Sequence, residues 1–115
     1  MPRKFDLEDR TLKFAKEVRA FVKKLPKSIS NIEDIKQLVR ASGSVGANYV
    51  EANESLSKKD FLMRVKISRK EAKESGYWLK LIDVKYNYSE EIRSKLIKEA
   101  AELTKIFGSI IEKSK

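Results

Sequence analysis

Apolar residues recur along this chain in steps of three and four, the spacing of one helix face, in four separate runs. The first predicts a helix over 6–25. Leu7, Phe14, Val18, Phe21 and Leu25 share a face with Thr11 and Val22 beside them, and Lys13, Lys16, Arg19, Lys23 and Lys27 fall on the other side. Pro26 lacks the amide a helix needs and closes the run. The second predicts a helix over 31–55, with Ile35, Leu38, Ser42, Val45, Tyr49 and Ala52 forming a heptad seam. Its opening, Ser30 to Glu33, fits a capping box, in which the Ser oxygen accepts the amide three residues on and the Glu reaches back. The third predicts a helix over 58–86, opened by Ser57 and Asp60. Its seam is Phe61, Val65, Ser68, Ala72, Ser75, Leu79 and Ile82, bulky at both ends and small in the middle. The fourth predicts a helix over 90–113. Ser89 is its expected cap, and Glu90 and Glu91 sit at the positive end of its dipole. Its stripe is Ile92, Leu96, Leu103, Phe107 and Ile110, flanked by Ala100 and Ile111.

No strand-like alternation, repeat or low-complexity segment interrupts this pattern. Four amphipathic helices with short connections fold most simply as an all-α, antiparallel up-down-up-down bundle, here a single domain over 1–115. The small centres of the second and third seams allow two backbones to approach closely.

One stretch strains the pattern. RASGSVGANYVEANES, residues 40–55, carries Gly43 and Gly46 in mid-helix, and 41–50 hold no charge in a chain that is 37% charged. A helical Gly costs about 1 kcal/mol against Ala, so packing must offset two of them. Opposite the seam lie Gln37, Arg40, Ser44, Asn48 and Glu51, small or polar and within a narrow arc. A helix apolar on one side and small and polar on the other is expected to be covered on both. The second cover is expected to be another subunit or an inter-helix hydrogen-bonded ladder. The flank of the third helix that carries Ile67, Glu71, Glu74 and Trp78, the single tryptophan, is the other candidate for such a contact.

Charge narrows the classes further. The 26 Lys and Arg against 17 Asp and Glu give +9, with local nets of +5 over 1–27, −2 over 28–56, +5 over 57–86 and +1 over 87–115. The excess lies on the first and third helices, diagonal in a simple bundle. Lys59, Lys66, Lys70, Lys73 and Lys80 share the face opposite the third seam, with Tyr77 among them. Lysines in a row with an aromatic suit phosphates and a stacked base, and the absence of an Arg pair argues against sequence-specific readout. The bland alternative is a solvated helix face.

Catalysis finds little support. The chain has no His and no Cys, which removes the commonest general base, thiolate ligands and disulfides. Glu71 and Glu74 lack the His that a carboxylate di-iron bundle uses, so no metal and no cofactor are expected. Ser42, Ser44, Ser68 and Ser75 have no base to activate them. Gly43-Ser-Val-Gly46 lacks the Lys and the preceding strand of a phosphate loop. No apolar run is long enough to span a bilayer, and MPRKFDLEDR turns polar at once, so a soluble cytoplasmic protein without membrane or leader is expected.

The segment QLVRASGSVGANYVEANESLSKKDFLMRVKISRKEAKESGYWLKLI, 37–82, closely resembles the bacterial four-helix-bundle proteins of the 23S rRNA intervening-sequence type. The likeness extends to FDLEDRTLKFAKEVRAFVKKLPKS and ELTKIFGSIIEKSK, so nearly the whole chain is covered. The resemblance implies a ring-forming bundle assembling as a homopentamer, encoded by insertions in large-subunit ribosomal RNA genes. A related branch, the accessory variability proteins of diversity-generating retroelements, pairs with a reverse transcriptase and binds nucleic acid.

The expectation is therefore a non-enzymatic, self-associating bundle with RNA or DNA as partner. Its rival is an adaptor ring that docks a protein such as a reverse transcriptase. Candidate nucleic-acid contacts are Lys59, Lys66, Lys70, Lys73, Tyr77 and Lys80. Candidate interface or ladder residues are Gln37, Arg40, Ser44, Asn48 and Glu51, with Glu71 and Trp78.

Overall fold

In the computed structural model, which describes residues 4–115, four helices follow one another: α1 (Lys4–Val22), α2 (Ile29–Asn53), α3 (Lys58–Leu81) and α4 (Asn87–Lys113). Met1–Arg3, part of the segment argued to be no leader, lie outside the described residues. Among the described residues there is no strand, and no helix is long and apolar enough to cross a membrane. The short connections set each helix antiparallel to the next. Contacts run α1–α2, α2–α3, α3–α4 and α4–α1, so α1/α3 and α2/α4 are the diagonals. The α2–α3 contact is the most extensive and the α1–α4 contact the slightest.

The seams meet in one core. Phe14 and Val18 of α1, Leu38 and Val45 of α2, Val65 and Leu79 of α3, and Leu103 and Phe107 of α4 are almost wholly buried. Removing such a side chain from water stabilises by about 1.5–3 kcal/mol each. Ser42, Ser68 and Ser75 are buried without orphaned hydroxyls. Ser42 donates to the Val39 carbonyl (3.2 Å) and Ser75 to that of Glu71 (2.8 Å). Ser68 of α3 donates across to the Val45 carbonyl of α2 at 2.9 Å, which needs the close approach that the small seam centres allow.

Gly43 and Gly46 lie inside α2. Their faces turn toward α1. A Cβ at Gly46 would stand 2.8 Å from Thr11 Oγ1 and 3.1 Å from Thr11 Cβ, so Gly46 is what lets α1 approach. A Cβ at Gly43 would meet only the mobile tip of Arg19, at 3.3 Å. This flank of α2, between the seam and the polar arc, is thus covered by α1 of the same chain.

Four expectations are corrected. The cap of α2 is Ser28, whose oxygen accepts the Asn31 amide at 3.2 Å. The helix already runs at Ile29, so Ser30 and Glu33 form no capping box. α1 ends at Val22, where Lys24 and Leu25 donate back to Phe21 and Val22 in a tight turn, although Leu25 stays in the core. α3 ends at Leu81 and α4 begins at Asn87 with Tyr86 at the cap position, so Ser89 is a buried residue of the first turn. In α4, Ile92 is 36% exposed, and Ile111 is buried more fully than Ile110.

The early end of α3 has a visible cause. Asn31, 1% exposed, accepts the Asp83 amide (2.9 Å) and donates to the Asp83 carbonyl (2.9 Å) and the Pro26 carbonyl (3.0 Å). That clamp holds the chain extended past Ile82 and ties the two end connections together. Arg93 also donates to the Ile82 carbonyl. The start of α3 matches expectation, with Ser57 accepting the Asp60 amide at 3.1 Å.

Candidate functional site

Two surfaces gather the residues singled out from sequence, and both are built on α3. The first is its solvent face. Lys59, Lys66, Lys70, Lys73 and Lys80 are all exposed, and Tyr77 is 58% exposed. Helical spacing opposite the Phe61–Ile82 seam puts them there. Among the described residues none of these lysines pairs with a carboxylate. The row is divided. Lys59, Lys66 and Lys70 line a hollow with Asp60, Leu62 and Met63. Lys73, Tyr77 and Lys80 border the groove between α3 and α4, where Arg69 and Lys105 join them. Tyr77 packs edge-on against Trp78, with ring centroids 5.2 Å apart.

The second surface is the outer face of α2 and α3. Arg40, with a half-exposed side chain, reaches Glu71 at 3.3 Å and Glu74 at 3.7 Å. Glu71 is 6% exposed, so this contact neutralises an acid that the fold has taken out of water. Two turns along α2 from Arg40, the Asn48 amide donates to the Ser44 carbonyl (3.0 Å) and hydroxyl (2.9 Å), and its oxygen accepts from Arg64 at 3.0 Å. The ladder therefore joins α2 to α3 within one chain through Arg40, Ser44, Asn48 and Glu71. Gln37 and Glu51 stand exposed beyond it. Trp78 packs against the core, yet its indole N–H is buried without a partner.

Sequence reasoning missed Arg69 and Lys105, which the helical wheel of α3 alone cannot bring together. It also missed Arg64, whose signal was its place one turn from Ser68 on the α2-facing side. Arg10, which grips Glu99 of α4 through two hydrogen bonds of 2.7 and 2.8 Å, had no local signal at all. That fork raises the pKa of Arg10 further and anchors the slight α1–α4 contact. Among the described residues no cluster of His, Cys, Asp and Glu could hold a metal.

With this geometry in view, the comparisons are specific. The model of the 23S rRNA-intervening sequence protein family matches residues 3–109. The chain belongs to that family. A crystal structure of a protein of unknown function from the S23 ribosomal protein family of Bacteroides thetaiotaomicron VPI-5482 superposes at a TM-score of 0.78. It is 31% identical, and the match covers 90% of this chain and 96% of that one. No curated protein matches. Both surfaces of this intervening-sequence protein lie within the matched residues.

Proposed function

We propose that this intervening-sequence protein is a non-enzymatic, cytoplasmic assembly protein that associates with RNA with little sequence preference. The carrying observation is the row of exposed, unpaired lysines with Tyr77 on α3. Unpaired ammonium groups attract a phosphate backbone by releasing its condensed counterions, and contacts to phosphates carry no sequence information. A pull-down from cell extract with and without nuclease tests this. Recovery of RNA that nuclease abolishes is the expected result. A protein partner that survives nuclease would replace it with an adaptor role.

We further propose that copies assemble into a closed ring, a pentamer, through the outer α2–α3 face. The half-exposed Arg40, with Gln37 and Glu51 exposed beside it, favours that face, since these polar groups stand on its surface where they can meet a second copy. Light scattering of wild type, Arg40→Glu and Trp78→Ala is the test. Both variants should shift toward monomer, and a wild type already monomeric at micromolar concentration sinks the ring.

A further inference from the structure

The groove between α3 and α4 is lined by cationic side chains alone among its charged residues. It has a volume of about 460 Å³. Its floor is small and apolar, from Ala72, Gly76, Ala100 and Ala101, and its rims carry Arg69, Lys73 and Lys80 from α3 and Lys105 from α4. No carboxylate lines it. Among the described residues none of the four cations forms an ion pair. Glu112 of α4 feels Arg69 only weakly: its lowered pKa comes first from the hydrogen bond of Lys115. The Arg69 guanidinium lies over Gly108 of α4, where a Cβ would stand at ordinary contact distance, 3.7 Å from its Nε. The hollow between α1 and α2 has Glu8 and Asp9 against Lys16 and Arg19, so its charges cancel, and the hollow of Lys59, Lys66 and Lys70 holds Asp60.

We infer that the α3–α4 groove seats one unpaired strand of RNA, its phosphates along the cationic rims and a base against Tyr77. This rests on the RNA association proposed above and gives it a place. Arg69 to Lys80 spans about 16 Å of helix axis at the α-helical rise, room for several phosphates of one strand. Two packed helices stand about 8–10 Å apart, too close for their groove to admit a duplex. A duplex also hides the base faces that an aromatic side chain stacks on, whereas an unpaired strand offers them. Trp78 holds the Tyr77 ring in place, which lowers the cost of ordering it.

The test is fluorescence anisotropy on the full chain, with a labelled oligoadenylate and with inorganic polyphosphate, across a salt series. The combined variant Arg69→Gln, Lys73→Gln, Lys105→Gln should lose at least about tenfold in affinity for oligoadenylate. Its log–log salt slope should fall by about 2, near 0.7 per lost contact to a single strand. Lys105→Gln alone reads the groove without touching α3 and should lower the slope by about 0.7. Tyr77→Leu should weaken oligoadenylate by about five- to a hundredfold, the range of one base stack, and leave polyphosphate unchanged. The control is Lys59→Gln, Lys66→Gln, Lys70→Gln on the neighbouring hollow, which should keep most of the affinity. Circular dichroism checks that each variant keeps its helices. If the control loses binding and the groove variant keeps it, the groove is wrong and RNA association stands. If Tyr77→Leu changes nothing and both lysine sets weaken binding equally, the strand sits on diffuse charge and the groove is again rejected. If wild type binds neither probe at low salt, RNA association itself fails.

Discussion

The α1–α2 and α3–α4 grooves lie on opposite edges of the bundle, and each contains two of the four glycines on or beside its floor. Yet the glycines serve different ends. Gly46 is a packing necessity, because Thr11 occupies the space its side chain would need. Gly76 faces Ala100 across 3.7 Å, an ordinary contact distance, so a methyl group would fit there. On the first edge the small residue at Gly46 is required by the side chain across from it. On the second, where α3 and α4 are in more extensive contact, Gly76 still leaves room for a methyl group under a cationic rim. Composition alone does not separate these cases; only the neighbour across the gap does.

The sharpest way to break this comparison is at Gly46. Gly46→Leu should destabilise by about 1–3 kcal/mol, at the upper end or beyond, because α1 must move to admit it. Gly46→Ala should also destabilise, despite a helix-propensity gain of about 1 kcal/mol, since even a methyl group stands inside contact distance. Gly43→Ala, which meets only the end of Arg19, is the internal control and should be tolerated. Urea midpoints at constant m-value decide it, and a neutral or stabilising Gly46→Ala sinks the account. Ala72→Leu, in a wholly buried position of the α3 seam, should be similarly disruptive.

Next in size is the clamp that joins the two edges at one end of the molecule. Asn31→Ala removes three hydrogen bonds from α2, two to Asp83 in the α3–α4 connection and one to Pro26 in the α1–α2 connection. The loss should be about 1–3 kcal/mol, the cost of leaving buried polar groups unmet. Amide exchange should also rise at Asp83, whose N–H loses its acceptor. Asn31→Asp keeps that acceptor and should restore protection at Asp83 but not the bonds to the carbonyls. If both variants match wild type, the connections hold themselves and the clamp is incidental.

How much of this was legible beforehand follows from the range of each interaction. The core seams were readable because burial repeats with the helical period, so Phe14, Leu38, Val65 and Leu103 announced themselves locally. Helix ends were less so. Ser28 and Ser30 are equally good caps by composition, and tertiary contact with Asp83 chose between the competing starts and stops around Asn31. The exposed row on α3 was likewise local. The groove was not, because Lys105 and Arg69 belong to different helices and meet only through the α3–α4 packing. The polar arc of α2 was visible as a face. Glu71 was named with that face, but its other partner, Arg64, required knowing which neighbour the face meets.

A smaller effect sharpens the contrast from the other side. Gly76→Ala should stabilise by up to about 1 kcal/mol, since α3 gains helix propensity and the methyl group finds ordinary contact with Ala100. It narrows the floor of the cationic groove only slightly, so thermal midpoint should rise while oligoadenylate affinity changes less than about twofold. A destabilised Gly76→Ala would mean that both edges need glycine for packing, and the distinction between them would collapse.

The least effect is a titration that marks the α1–α2 edge. Tyr49 is 5% exposed, and burial first of all, with the field of Glu8 adding, raises its phenol pKa above 10.0, while the hydrogen bond with Asn53 opposes. A neutral phenol is therefore preferred by the folded state. Its contribution to stability is fully present below the unfolded value near 10 and is lost as pH rises through the folded value. Tyr49→Phe cannot ionise and escapes this loss. Urea midpoints of both proteins from about pH 8 to about pH 11 should show wild type ahead, or level, at the lower end and Tyr49→Phe gaining on it above pH 10. Lysine deprotonation affects both proteins alike and cancels in the difference. Tyr49 meets α4 only on its core side, at Phe107, and neither lines the cationic groove, so oligoadenylate binding at neutral pH should not move. A gap constant across the range would show that the Tyr49 phenol ionises as readily folded as unfolded, and that water reaches the core position where its packing says it is closed.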